Sequence, residues 1–189
     1  WFQREHTIRK RSATNHVASH DLQPLGTNAK TRGRFGGAAA TVVSLTDVGD
    51  ASISGFTITN GQFEYDEYET PERSGGIDLF GSTNATLSDL HLTENSGYSG
   101  GAIYVDHNSY CELSNSLLDY NTASFGAGIL VAGVLNLNFV DIVYNSSAIS
   151  FYSGQGEINN SKISHNDYGH LYLLYIYSFL LSLEKIHFL

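Results

Sequence analysis

Eight residues before Gly61, Asn95, Asn121, Asn145 and Asn166 stand Ile53, Leu87, Leu113, Leu137 and Ile158. Three residues before the same positions stand Ile58, Leu92, Leu118, Ile142 and Ile163. Each unit also carries an alternating pair upstream: Val43/Leu45, Ile77/Leu79, Ile103/Val105, Ile129/Val131 and Ile149/Phe151. The units are offset by 34, 26, 24 and 21 residues, and their apolar positions alternate where a helix would show a stripe. Units of this size bury little alone and must stack on one another. The pattern therefore predicts an all-β chain, a parallel solenoid of about five coils. Each coil is built from two or three short strands joined by turns. Like residues then lie one inter-strand distance apart, about 4.8 Å.

Two kinds of corner are expected in this arrangement. Asn95, Asn121, Asn145 and Asn166 mark one, because Asn tolerates left-handed backbone angles and its amide bonds the amides above and below it. Glycines at 75–76, 100–101 and 126 mark the other, where a tight bend leaves no room for a Cβ. Gly76 and Gly101 are the structural glycines of that corner.

The stretches "ISGFTITNG" (53–61), "SGGID" (74–78), "SGGAIYV" (99–105) and "GAGILV" (126–131) resemble the right-handed parallel β-helix, or pectin-lyase-like, superfamily. "GGAI" at 100–103 followed by "LDYN" at 118–121 is similar to the GGAI and FxxN repeats of chlamydial polymorphic outer-membrane proteins and autotransporter passengers. Leu92, Leu118, Ile142 and Ile163 stand where those tetrads carry Phe. The resemblance spans about 41–167. It implies a right-handed parallel β-helix, and a superfamily holding lyases, hydrolases and adhesins alike.

Outside the repeat the pattern stops. Residues 1–40 hold seven basic residues against Glu5 and Asp21, a net of +5, and the remainder carries −14. They read as an irregular basic leader or cap, residues 41–169 as the β-helix, and 170–189 as an apolar C-terminal cap or a non-native tail. The basic segment lacks interleaved aromatics and the acidic body repels phosphate, so nucleic acid is not an expected partner. "LYLLYIYSFLLSL" (171–183) is uncharged but short of the roughly twenty residues a spanning helix needs. No transmembrane span is expected. The chain opens on Trp1, contains no methionine and shows no secretory signal pattern, which reads as a mature product or a fragment. The single cysteine, Cys111, excludes an internal disulfide.

Candidate chemistry lies in a loop and on an outward face. The first unit is longer than the second by the stretch "QFEYDEYETPER" (62–73), where Glu64, Tyr65, Asp66 and Tyr68 gather. Carboxylates beside aromatic rings suit sugar or Ca²⁺ contacts, although the spacing matches no calcium-loop template. A solvated acidic loop is the alternative. On the coils, alternation places His91, Thr93, Leu117, Asp119, Asp141, Val143, Lys162 and Ser164 toward solvent. Asp119 and Asp141 are offset by two residues on adjacent coils. The expected separation of about 8 Å falls in the range of an inverting glycosidase pair. A further column, Glu94, Tyr120, Tyr144 and His165, stacks aromatics at a corner, as packing or as a sugar platform. The histidines show no metal-ligand spacing, and no cofactor is expected.

Two functional readings follow. The first is a secreted or cell-surface β-helix that binds a polysaccharide or a cell-surface protein through its outward columns. The second is a polysaccharide-degrading enzyme using Asp119, Asp141 and Lys162. Within that second reading a hydrolase is favoured over a lyase. A lyase needs basic partners for its uronate, and only Arg73, Lys162 and Lys185 follow residue 40.

Overall fold

The computed structural model describes residues 22–24, 41–63, 74–169, 171–173, 181–184 and 187–188. Every regular element among them is a β-strand. The chain moves between sheets in a fixed order and returns to each one unit later. Val43–Thr46, Ile77–Phe80, Ile103–Val105, Ile129–Val131, Ile149–Phe151 and Leu171–Leu173 form a six-stranded sheet, each strand parallel to the one before. After each visit the chain enters an eleven-stranded sheet. In the first unit this takes two strands, Gly49–Ser54 and Phe56–Thr59. In the middle of the molecule each such pair fuses into one ten-residue strand, Tyr110–Asp119 and then Val134–Val143. Ser96–Ser99 and Thr122–Phe125 form a separate two-stranded parallel sheet.

The registers set like on like. Ile53 pairs with Leu87, Leu87 with Leu113, Leu113 with Leu137, and Leu137 with Ile158. Ile58, Leu92, Leu118, Ile142 and Ile163 form a second column in the same way. Val43, Ile77, Ile103, Ile129 and Ile149 form a third in the six-stranded sheet. All are buried and belong to one continuous core. Each such side chain contributes about 1.5–3 kcal/mol by leaving water. A one-residue slip would turn a whole column outward, so the register is strongly specified.

One feature differs from simple strand alternation, which would turn the alternate positions of the six-stranded sheet to solvent. Asp78, Tyr104, Leu130 and Ser150 occupy them and are buried too, so this sheet is covered on both faces. Two of its polar members are satisfied locally: Asp78 accepts from the Ser74 amide and the Thr41 hydroxyl, and the Tyr104 hydroxyl donates to Asp106. Strands continue at the end of the chain. Leu171–Leu173, Leu181–Glu184 and His187–Phe188 pair parallel onto the preceding unit, setting Leu183 beside Ile158 and Phe188 beside Ile163. Leu183 and Phe188 are five residues apart, like every earlier pair. At the opposite edge Leu22–Pro24 pairs antiparallel with Phe56–Thr59. Pro24 has no amide hydrogen to offer a further strand, which suits an edge.

The asparagine corner also needs a correction. The left-handed angle falls on the residue before each asparagine, Glu94 (φ 56°), Tyr120 (53°), Tyr144 (57°) and His165 (55°), and in the first unit on Asn60 (59°), before Gly61. The asparagines themselves point inward, where their amides make a ladder. The Asn121 Oδ1 accepts from the Asn95 backbone N–H and Nδ2, both at 3.0 Å. Asn145 and Asn166 repeat the arrangement one and two rungs on. The inward amide is the demanding position, because a buried polar ladder needs every partner. The outward residue only has to bend the chain. At the other corner, a Cβ on Gly76 would overlap the Ala102 carbonyl, and one on Gly101 the carbonyls of Ala127 and Thr122. Backbone cannot move aside as a side chain can, so alanine is excluded there.

Cys111 sits in this core, in register with Ala85 and Leu135. Burial, followed by the charge of Glu112, pushes its thiol from 9.0 up to about 12. The unfolded thiol releases its proton near pH 9 and the native one does not. Stability from this group is therefore complete below pH 9 and is lost as pH rises from about 9 toward 12. The difference in denaturant midpoint between pH 8 and pH 10.5 is expected to shrink in Cys111→Ala. An unchanged difference would mean that the thiol is not sequestered. Tyrosine and lysine titration is common to both proteins and cancels.

Candidate functional site

Three columns of side chains line the outer edge of the eleven-stranded sheet, each with one residue per unit. The first runs Thr57, His91, Leu117, Asp141, Lys162 in direct register. The second runs Thr59, Thr93, Asp119, Val143, Ser164. The third occupies the left-handed corner and runs Asn60, Glu94, Tyr120, Tyr144, His165. The alternation of the strand separates the first two columns from the buried Leu92–Leu118–Ile142 column between them. The corner then throws the third outward.

The second column is less exposed than alternation alone implies. Asp119 is 9% exposed, Val143 is buried and Ser164 is fully buried. These residues lie in the angle of the corner, where neighbouring side chains close over them. Asp119 Oδ1 lies 2.8 Å from His91 Nε2, a contact made diagonally across two strands. The Ser164 hydroxyl lies 3.1 Å from His165 Nδ1. The expectation that Asp119 faces solvent is thus corrected: most of its surface is spent on the protein.

Asp141 remains exposed, directly opposite Leu117 on one side and Lys162 on the other. Asp119 pairs with Val143, so the two aspartates are diagonal neighbours. Asp119 is bonded to His91, and Asp141 stands in register with Lys162. Donors and acceptors set side by side offer hydrogen bonds of both senses to a ligand laid across the strands.

The third column is an aromatic stack. Tyr120 and Tyr144 lie with ring centroids 5.7 Å apart and planes within 9°, and His165 follows at 5.1 Å and 31°. Tyr120 and Tyr144 are 58% and 51% exposed. The rings spend their faces on one another: Tyr144 lies between Tyr120 and His165. A sugar platform needs free faces, and within this column the outer face of Tyr120, at the Glu94 rung, is the one offered. Elsewhere the column presents ring edges and phenol hydroxyls. The stack also offsets the cost of the left-handed backbone at Tyr120 and Tyr144.

The acidic-loop candidates Glu64, Tyr65, Asp66 and Tyr68 lie outside the described residues. Among the described residues no group of three or more His, Cys, Asp or Glu is placed to hold a metal ion. Nor do they include a helix long and apolar enough to cross a membrane. The sequence reading missed the His91–Asp119 bond, because a diagonal contact joins residues 28 apart whose meeting depends on the exact register. No family model, curated protein or solved structure matches this chain.

Proposed function

We propose that this chain is a right-handed parallel β-helix of the pectin-lyase-like kind, secreted or displayed at a cell surface. It binds a polysaccharide or a cell-surface protein through its outward columns, the first and the third. The observation that carries this reading is the face itself. Hydroxyls, the His91–Asp119 pair, Asp141 in register with Lys162 and an exposed aromatic stack lie there on strands about 4.8 Å apart. Such a face meets an extended partner at several weak points, and these add into useful avidity. A right-handed crossover is the form that parallel strand connections take. The passage of the chain from sheet to sheet, returning each time in parallel register, supports the coil.

The alternative is a polysaccharide-degrading enzyme. It would need Asp119 as a free acid or base, whereas the Asp119 carboxylate is largely buried against His91. The experiment is a screen of the intact protein on polysaccharides, read both as binding and as new reducing ends. Asp119→Asn and Asp141→Asn together are expected to weaken binding by a few-fold, the effect of rim charges, with no turnover to lose. Cleavage that these substitutions abolish would overturn the binding reading and make the two carboxylates an acid–base pair.

A further inference from the structure

The corner after each asparagine changes length along the chain, and the change leaves a cavity. Eight residues separate Asn95 from Ile103 and Asn121 from Ile129, but only four separate Asn145 from Ile149. The longer corners hold the strands Ser96–Ser99 and Thr122–Phe125; the short one has no strand to lay beside Thr122–Phe125. Below that strand opens a cavity of about 290 Å³. It is lined by Ala123, Ser124, Phe125, Gly126, Ser147, Ser150 and Tyr168.

The lining has a definite chemistry. Phe125 and Tyr168 are exposed aromatic rings, and the rest are small residues and hydroxyls. Ser147 Oγ accepts the Ala127 N–H, which leaves its hydroxyl hydrogen for a further acceptor. Ser150 is only 2% exposed, and among the described residues its hydroxyl has no hydrogen-bond partner. Its oxygen is nevertheless not sealed off, unlike that of Ser74. A hydroxyl placed deep in the site yet reachable from the cavity can both donate to and accept from a group that enters.

We propose that this cavity is a subsite for one neutral pyranose ring. The size fits, since ligand pockets begin at roughly 300 Å³. Aromatic rings accept the C–H face of a sugar, and serine hydroxyls exchange hydrogen bonds with its hydroxyls. Among the described residues no lining residue is charged, so a uronate would surrender its hydration with no cation there to receive it. The inference deepens the glycan branch of the proposed function and rests on it.

The test uses the full chain, isotopically labelled, titrated with the methyl glycosides of glucose, galactose and mannose and with the matching methyl glucuronide. At least one neutral glycoside is expected to bind in the millimolar range and to shift the amides of 123–126, 147, 150 and 168. The glucuronide should bind about tenfold more weakly, the effect of one uncompensated polar burial. Ser150→Ala, which removes a single unpartnered oxygen, should weaken binding several-fold while leaving the spectrum otherwise intact, and Tyr168→Ala should weaken it further. Absence of shifts with every neutral glycoside would overturn the subsite, as would equal binding of the glucuronide or indifference to Ser150→Ala. So would stronger shifts with a short uncharged extended peptide, which would make the edge of Thr122–Phe125 a strand acceptor. Polymer binding through the outward columns without glycoside shifts would sink the subsite alone. Glycoside shifts without polymer binding would sink the broader reading alone.

Discussion

Leu118→Ala is expected to lower the free energy of unfolding by about 2–5 kcal/mol, the cost of emptying a fully packed site. Leu118 has no exposed surface and lies in register between Leu92 and Ile142, themselves fully buried. Neighbours above and below belong to strands locked by their own ladders, so the site has little freedom to collapse and the cost should lie in the upper half of that range. Leu117→Ala, one residue away on the outward column and half-buried, is the control and should cost far less. Denaturant unfolding of both variants checks the pair. Equal losses, or a near-neutral Leu118→Ala, would mean that the register of Tyr110–Asp119 is shifted by one.

Asn121→Ala is expected to cost a comparable 2–5 kcal/mol, through hydrogen bonds in place of volume. The Asn121 Nδ2 donates to the backbone carbonyls of Leu92 and Asp119 and to Asn145 Oδ1, and its Oδ1 serves the Asn95 amide. All of this is buried, so truncation orphans the Asn95 backbone N–H where water cannot replace the lost partner. Glycine separates the two roles at this corner. Tyr120→Gly removes the stacked ring but relieves a left-handed residue, and its cost should be small. Asn121→Gly relieves nothing and should be as damaging as alanine. Similar stability for Asn121→Gly and the native chain would overturn the amide ladder as the device that holds the corner.

The same corner shows how far sequence could be read. The asparagine column was visible because its spacing from Ile and Leu is strict, and the amide ladder follows from stacking identical side chains. Which residue bends the chain was not visible. Asn60, Glu94, Tyr120, Tyr144 and His165 share no one side-chain type; what all five share is a backbone angle imposed by the turn. Leu183 and Phe188 carried the five-residue signature of the core columns but were hidden in an apolar stretch, where a period does not stand out from its background.

By itself the sequence determined the pairing partners. A side-chain period of two and a recurring five-residue gap between Leu and Ile leave one register in which every column is apolar, and the ladders follow that register residue by residue. Only the tertiary structure decided what lies beside what across the columns. It turned Asp119 from a solvent-facing carboxylate into the partner of His91, closed the faces of the tyrosines on one another, and buried the outer side of the six-stranded sheet. It also made a cavity of the shortened corner after Asn145. Periodicity reports the environment of one position repeated along an axis. Burial at a corner, diagonal contacts and the space left by a missing strand depend on three-dimensional neighbours that no single period encodes.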